Sequence, residues 1–369
     1  MSDMLQLERM LNTSKKIDVM VVAGARPNFM KVAPILNELD NEHVTNVLVH
    51  TGQHYDSAMS GDFFEELGIK EPEYNLNVGS HSHAVQTARV MEKFEPVLNE
   101  VSPRVLIVVG DVNSTLATAL VASKYKTLVA HVEAGLRSND REMPEEINRV
   151  AVDHISDILY ATSKDGLINL EREGLIDRSQ LVGNVMVDTL LNNLERAKNR
   201  PILSTIKFDR FGLLTLHRPS NVDEPELFED LIKTMSEISM SLPVIFLCHP
   251  RTRAKLKGIN IPDSIVVLEP VSYLDAIGLE AKASVVFTDS GGMQEETTIL
   301  GVPCLTLRDN TERPVTVAEG TNFIVGRDKD KIIETFKMVI GQEFKPKRPE
   351  YWDGKASKRI VESLKSKYL

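Results

Sequence analysis

Long apolar runs, a signal-peptide core and net positive charge are all missing from this chain of 369 residues. No apolar run approaches the roughly 20 residues that a membrane-spanning helix needs, so we expect no membrane partner. The net charge is −10, which makes the chain a poor candidate for binding nucleic acid through its phosphates. Residues 1–16 lack the apolar core of a signal peptide, and this favours a cytoplasmic protein.

Cysteines are few, and patterns typical of metal or dinucleotide sites are absent. Cys248 and Cys304 both lie in apolar runs, where we expect buried free thiols in a reducing compartment. His50 and His54 stand four apart on a loop, but no third ligand follows nearby, so no metal site is predicted. No Gly-x-Gly-x-x-Gly or P-loop pattern follows a strand, which disfavours a tightly held dinucleotide. We therefore expect no cofactor.

The chain does contain short apolar runs that alternate with helical stretches. At about 150 residues per domain, the length predicts about two domains. Strands are predicted at 17–23, 44–50, 105–109, 127–132 and 158–161, and in a second series at 211–216, 244–248, 265–268, 284–288 and 304–307. Strands that alternate with helices indicate parallel sheets covered on both faces. The fold class predicted is α/β, with two Rossmann-like doubly wound domains that face a cleft.

Ligands of open parallel sheets bind beyond the carboxyl ends of the strands, so the residues that follow each predicted strand are informative. Arg26 comes after the first strand, where its guanidinium suits either a phosphate or a surface acid. Asp111 follows the third strand, as a site carboxylate or as a helix N-cap. Glu133 directly ends a buried strand. Glu145 and Glu146 follow Pro144, where acids favour the first turn of a helix.

The second series carries similar signals. His217 follows the strand at 211–216, and Ser290-Gly291-Gly292 follows the strand at 284–288 and opens a helix. Such a helix start offers backbone N–H groups to a phosphate, although two glycines also suit a simple turn. Glu295 or Glu296, one helical turn later, could accept hydrogen bonds from a ribose diol. Cations, an anion-binding helix start and several carboxylates together favour a sugar nucleotide.

Taken in chain order, eight blocks of sequence resemble the non-hydrolysing UDP-N-acetylglucosamine 2-epimerases. The blocks are Gly24–Pro27 with Lys31, 51–54, 110–115 without Val112, 131–137, 144–149 without Ile147, Thr215 with His217-Arg218, 288–296 and 311–314. Ala25 and Asn28 depart from residues that are common in the family. The resemblance implies two domains of the GT-B glycosyltransferase type. The polar stretch 192–201, which ends in proline before the second series of strands, places the boundary between residues 183 and 207, and we predict domains at 1–185 and 186–351. It also implies that a C-terminal helix at 352–369 joins the first domain.

The resemblance further implies interconversion of UDP-GlcNAc and UDP-ManNAc, which would supply ManNAc-type sugars for surface polysaccharides, by a homodimer. The catalytic residues implied are Asp111, Glu133 and Glu145 around the sugar and His217 at the diphosphate. Arg26, Ser290, Gly291 and Gly292 are also implied at the diphosphate, Glu296 would hold the ribose, and Arg313 and Lys31 would complete the site. Gln53 matches a contact of an allosteric activator in some members, but Asp56 departs from that pattern. Alternatives are a hydrolysing 2-epimerase, a GT-B glycosyltransferase and a catalytically silent sensor.

Overall fold

A computed structural model describes residues 17–52, 61–342, 344–345 and 347–369. Its strands are β1 (Val19–Ala23), β2 (Asn46–His50), β3 (Tyr74–Asn75), β4 (Val105–Val109), β5 (Leu128–Ala134), β6 (Ile158–Ala161), β7 (Ser179–Leu181), β8 (Gly212–Leu216), β9 (Val244–Cys248), β10 (Ile265–Leu268), β11 (Val285–Thr288), β12 (Cys304–Thr306) and β13 (Asn322–Ile324). Nearly all central strand residues are buried, which explains why these runs are almost continuously apolar.

Helices connect the strands. They are α1 (Arg26–Asn41), α2 (Gly61–Leu67), α3 (His83–Val101), α4 (Asn113–Ala122), α5 (Pro144–Ile155), α6 (Lys164–Arg172), α7 (Val185–Lys198), α8 (Ile202–Thr205), α9 (Pro219–Val222), α10 (Pro225–Ser239), α11 (Pro250–Lys255), α12 (Tyr273–Lys282), α13 (Gly291–Leu300), α14 (Val315–Ala318), α15 (Lys329–Ile340) and α16 (Ala356–Lys367), with a 3₁₀ turn at Ile176–Arg178. Long apolar stripes on these helices cover the sheets.

Both sheets are parallel and doubly wound. The first has seven strands in the order β3-β2-β1-β4-β5-β6-β7, and the second has six in the order β10-β9-β8-β11-β12-β13. The strand order therefore reverses between β1 and β4 in one sheet and between β8 and β11 in the other. Such a reversal opens a crevice at the carboxyl ends of the two central strands, where ligands bind. The predicted α/β class with two Rossmann-like sheets is confirmed.

The chain divides into two compact units. The first contains the described residues of Met1–Gly135, Asp140–Val185 and Lys355–Leu369, and the second contains Leu136–Asn139 and Met186–Gly354. Within the first unit, α16 packs against α1. The tail helix is shorter than predicted, because it begins at Ala356 rather than near residue 352. Tyr351 and Gly354 have φ values of 63° and 78°, which a right-handed helix does not allow.

One expectation about composition has a direct counterpart in the structure. Cys248 and Cys304 are buried and free, as predicted. No helix in the described part of the chain is long and apolar enough to cross a membrane.

Candidate active site

The switch point of the first sheet gathers charged side chains. Lys31 on α1 forms an ion pair with Glu133 at the end of β5, and the carboxylate side chain is only 1% exposed. A Cβ atom on Gly110, which follows β4, would lie 2.9 Å from Lys31 Nζ and 3.3 Å from Glu133 Oε2. Gly110 thus leaves room for both charged groups above the strand end, and its φ of 67° also favours glycine.

Glu133 has an unusual backbone. Its φ is 72°, in the left-handed region that side chains disfavour, and the pairing of β5 with β6 shifts register between Val132 and Ala134. A non-glycine residue in this region costs about 1–3 kcal/mol and persists only where neighbouring structure enforces it. The bulge allows the Glu133 carboxylate to lie beside Lys31. Backbone strain of this kind is typical of functional sites.

Asp111 is held by helix α5. Arg149 donates to Asp111 Oδ2 at 2.7 Å, and Asn148 Nδ2 donates to the Asp111 carbonyl at 2.9 Å. The side chain stays 28% exposed, so it can still meet a ligand. Asp111 does not cap helix α4, because Val112 occupies the N-cap position. The capping alternative for Asp111 is therefore wrong.

Glu145 and Glu146 both lie in the first turn of α5, where the helix dipole favours acids. Glu146 is buried and pairs with Arg149. Glu145 is half-buried, and within the part of the chain that the structure describes its side chain has no hydrogen bond or ion pair. Of the three acids predicted at the sugar, Asp111 and Glu133 therefore have a cationic partner, whereas none of the described residues pairs with Glu145.

Arg26 opens helix α1 and is half-buried, with its guanidinium 5.3 Å from the centre of the Phe63 ring. The neighbouring departure from the family, Asn28, has a clear role. Its Oδ1 accepts hydrogen bonds from the N–H groups of Gly24 and Ala25 at 3.1 and 3.0 Å. Asn28 therefore fixes the turn that precedes Arg26. Because its side chain is a neutral amide, it adds no negative charge near Lys31.

The switch point of the second sheet pairs His217, after β8, with Asp289, after β11. His217 Nδ1 lies 2.8 Å from Asp289 Oδ1, and the imidazole remains 51% exposed. Asp289 also accepts the backbone N–H groups of His217 and Arg218 at 3.0 and 2.9 Å. Burial acts to raise the pKa of Asp289, but these hydrogen bonds outweigh it and lower that pKa. An ionised Asp289 therefore orients His217.

A buried arginine cluster lies near this pair. Arg308 forms an ion pair with Glu312 at 2.9 Å, and Arg313 pairs with both Glu312 and Glu295 at 2.6 and 2.7 Å. Arg218 lies 3.7 Å from Glu312. Although burial opposes ionisation, the three arginines hold the pKa of Glu312 far below its usual range. With Asp289, whose charge also acts on Arg218, three arginines face three carboxylates, so the formal charges of the cluster balance. Arg308 was missed from the sequence, although it follows β12 closely.

Ser290, Gly291 and Gly292 begin helix α13, as predicted. Ser290 is the N-cap residue, but its hydroxyl makes no capping hydrogen bond. The first backbone N–H groups of a helix have no partner within the helix and can therefore bind an anion. A Cβ on Gly291 would lie 2.6 Å from Arg313 Nη1, whereas one on Gly292 would meet nothing closer than Met186 Cε at 4.0 Å. Glycine at 291 thus lets Arg313 approach the helix start.

Glu296 lies deeper on α13. Tyr273 on α12 donates to its Oε1 at 3.1 Å. Burial raises the pKa of Glu296 to about 7, the Tyr273 hydrogen bond lowers it, and the adjacent Glu295 raises it. Glu280, also on α12, is buried beside Glu296, and burial followed by that like charge raises its pKa well above the usual range. Neither Tyr273 nor Glu280 was predicted as a neighbour of Glu296, because both come from another helix, α12.

Gln53, the predicted activator contact, lies outside the described residues. In the described ranges no group of three or more His, Cys, Asp or Glu side chains could hold a metal ion.

Comparison with known proteins assigns the family. A family model described as UDP-N-acetylglucosamine 2-epimerase matches residues 37–365. A UDP-N-acetylglucosamine 2-epimerase of Methanocaldococcus jannaschii is 45% identical over 358 residues, which cover 93% of this chain and 98% of the relative. A UDP-2,3-diacetamido-2,3-dideoxy-D-glucuronate 2-epimerase of Pseudomonas aeruginosa is 39% identical over 351 residues, with coverages of 94% and 99%.

A crystal structure of the Methanocaldococcus jannaschii UDP-GlcNAc 2-epimerase in complex with UDP-GlcNAc and UDP is similar to this chain with a TM-score of 0.88. The two are 43% identical, and the match covers 95% of this chain and 99% of that one. With a family model matching most of its length and relatives this similar, the chain belongs to the UDP-N-acetylglucosamine 2-epimerase family.

Proposed function

We propose that the protein interconverts UDP-GlcNAc and UDP-ManNAc without hydrolysing either. The observation that carries this proposal is the pair of carboxylates Asp111, which follows β4, and Glu133, near the end of the neighbouring strand β5, each held by a cation. Epimerisation needs proton transfer on two opposed faces of one carbon. Two positioned acid–base groups at one strand edge fit that requirement.

The chemistry proceeds by elimination and re-addition. C2 of the sugar has no adjacent carbonyl, so removal of its proton alone gives an unstabilised carbanion. In the proposed step a carboxylate takes the C2 proton while the C1–O bond to UDP breaks. The C2–H electron pair becomes the C1=C2 double bond of 2-acetamidoglucal. UDP oxygen then bonds to C1 again as a proton reaches the opposite face of C2. Asp111, Glu133 and Glu145 are the proposed proton-transfer and orienting groups.

The departing UDP carries negative charge. We assign its binding to cationic side chains and to the start of helix α13. His217, oriented by Asp289, the hydroxyl of Ser290 and the N–H groups of Gly291 and Gly292 are proposed to bind the diphosphate, with Arg313 nearby. Arg26 and Lys31 complete the positive charge in the first unit. Glu296 is proposed to accept the ribose hydroxyls. His217→Asn should therefore slow the steps that make or break the C1–O bond.

A direct product assay tests the proposal against its rivals. Pure protein is incubated with UDP-GlcNAc in chelator, without added NAD, and the products are separated by chromatography. UDP-ManNAc alone is the expected product. ManNAc plus UDP would indicate the hydrolysing reaction, and UDP release that needs an acceptor would indicate a glycosyltransferase. Loss of activity in chelator that a divalent ion restores would contradict the expectation that no metal is needed.

One relative is named as a 2-epimerase of UDP-2,3-diacetamido-2,3-dideoxy-D-glucuronate. The same assay with that compound tests which of the two sugar nucleotides has the higher kcat/KM. That sugar adds a carboxylate and a second acetamido group, so it needs a further cation and a wider pocket. We propose UDP-GlcNAc as the better substrate. A higher kcat/KM for the glucuronate would overturn this choice while leaving the C2 chemistry intact.

We also propose a cytoplasmic homodimer whose product feeds synthesis of ManNAc-containing surface polysaccharides. Light scattering at micromolar concentration tests the assembly, and a monomer would contradict it.

A further inference from the structure

Two buried side chains that the proposed mechanism does not use join the strand ends that carry its acids. His131 on β5 and Asp153 on α5 are both fully buried at 0% exposure, and His131 Nδ1 lies 2.7 Å from Asp153 Oδ1. His131 Nε2 lies 2.9 Å from the carbonyl oxygen of Gly110. The second oxygen of Asp153 accepts the N–H of Gly135 at 3.0 Å.

His131 and Asp153 each make one further hydrogen bond outside the pair, and each ends on a backbone atom close to Asp111 or Glu133. Gly110 directly precedes Asp111, and Gly135 comes two residues after Glu133. The Gly110 N–H also donates to the Val132 carbonyl at 3.1 Å, so both polar groups of Gly110 bond to residues of β5. The His131–Asp153 pair therefore links the end of β4, the end of β5 and helix α5.

The protonation pattern is fixed by the partners. A carbonyl oxygen can only accept, so His131 Nε2 carries a proton and donates it to Gly110. A second proton lies between His131 Nδ1 and the Asp153 carboxylate. Both ring nitrogens and both carboxylate oxygens are thus used, which makes the network fully satisfied and directional.

Fold stability alone does not explain such a pair. Replacing a buried ion pair by apolar residues of similar size is often neutral or stabilising. The backbone next to it, however, is costly, because Glu133 has a φ of 72° and the strand register shifts there. Such a conformation persists only if the surrounding bonds enforce it.

We propose that His131 and Asp153 are positioning residues that set the spacing between the Asp111 and Glu133 carboxylates. They touch neither substrate nor reacting atoms, and act through Gly110 and Gly135. This inference rests on the proposed epimerase function.

The test compares Asp153→Asn with a matched control, Asp157→Asn. Asp157 also accepts a backbone N–H of β5, from Val129 at 2.8 Å, but at the opposite end of the strand. A misplacement of about 1 Å can cost about 100-fold in rate, so we expect D153N to lower kcat by about 10- to 100-fold. The affinity for UDP, measured by calorimetry, and the kcat of D157N should each stay within about twofold of wild type.

A double variant, H131L/D153L, separates positioning from stability. It removes the buried charges, so the protein should stay folded by circular dichroism while kcat falls as in D153N. The rate of C2 deuterium exchange should fall by the same factor as kcat.

Either variant, folded and with kcat within about twofold of wild type, would overturn the inference. Loss of the fold in both variants would overturn it as well, because it would show a purely structural pair. An inactive wild type would instead refute the proposed function.

Discussion

Lys31 and Glu133 form an ion pair whose side chains are only 12% and 1% exposed. Breaking a buried pair by removing one partner typically costs about 3–5 kcal/mol, because the remaining charge loses its counter-charge. We therefore expect Lys31→Met to lower the free energy of unfolding by about that amount in urea titrations. The double variant K31M/E133Q should recover most of the loss.

An exposed pair of the same charge type provides the control. Lys198 and Glu195 are 2.8 Å apart, with side chains 50% and 82% exposed. Lys198→Met should cost less than about 1 kcal/mol. If K31M is as stable as K198M, Lys31 does not stabilise the buried carboxylate.

Amide substitution of the three acids tests their roles. Asp111→Asn, Glu133→Gln and Glu145→Gln each keep the side-chain size and remove the proton-transfer group. A group that transfers a proton should cost about 10²–10⁴-fold in kcat. Glu171→Gln, on the exposed face of α6, is the control and should leave kcat unchanged. A variant with normal kcat would show that its acid does not transfer a proton.

Glu296 predicts a pH dependence of UDP binding. Burial raises its pKa to about 7, and only the ionised carboxylate accepts two hydrogen bonds from the ribose. We expect UDP affinity to increase as pH rises towards about 7, by at most about tenfold per pH unit, and to level off above it. Tyr273→Phe removes the hydrogen bond that lowers this pKa, so the midpoint should move to higher pH in calorimetric titrations. A midpoint unmoved by Y273F would contradict this account.

The Glu296 carboxylate also makes the free energy of unfolding depend on pH, but in the direction opposite to its effect on UDP affinity. Because the folded pKa of Glu296 is above its usual value of 4.5, the stability it confers is present below that value and is lost as pH rises through about 7. Glu296→Gln should therefore gain about 3 kcal/mol relative to wild type between about pH 4.5 and pH 8. Urea unfolding at both pH values measures the difference, and equal effects at the two would refute the assigned pKa.

Two adjacent glycines should respond differently to alanine. Gly291→Ala places a Cβ 2.6 Å from Arg313 Nη1 and 2.9 Å from Glu312 Oε1, so this ion pair must shift. Overpacking of this kind costs about 1–3 kcal/mol. Gly292→Ala meets only Met186 Cε at 4.0 Å and should unfold at the same urea concentration as wild type. Equal stability of the two variants would contradict the close packing at Gly291.

The apolar runs predicted the central strands well, since burial on both faces leaves a clear signal. Short edge strands were missed: β3 (Tyr74–Asn75), β7 (Ser179–Leu181) and β13 (Asn322–Ile324) are two or three residues long and half-exposed. Such strands form because a neighbouring strand offers hydrogen bonds. The sequences of β3 and β7 carry too few apolar residues to predict them, and β13, although it contains Phe323 and Ile324, is only three residues long.

We predicted Asp111, Glu133 and His217 as site residues because ligands bind at the carboxyl ends of strands. The same rule does not predict which side chains pair with them. Arg149 reaches Asp111 from a helix far along the chain, and Asp289 reaches His217 from another strand. Such pairs depend on the order of strands in the sheet. The left-handed backbone of Glu133 was equally unpredictable, because glycine rather than glutamate is typical there.

The most direct test of the central claim is the fate of hydrogen at C2. Wild-type protein is incubated with UDP-GlcNAc in deuterium oxide, and the product is examined by NMR and mass spectrometry. Elimination and re-addition predict UDP-ManNAc with one deuterium at C2 and no free ManNAc. UDP-ManNAc that retains hydrogen at C2 would contradict proton removal by the carboxylates, and with it the central role assigned to Asp111 and Glu133.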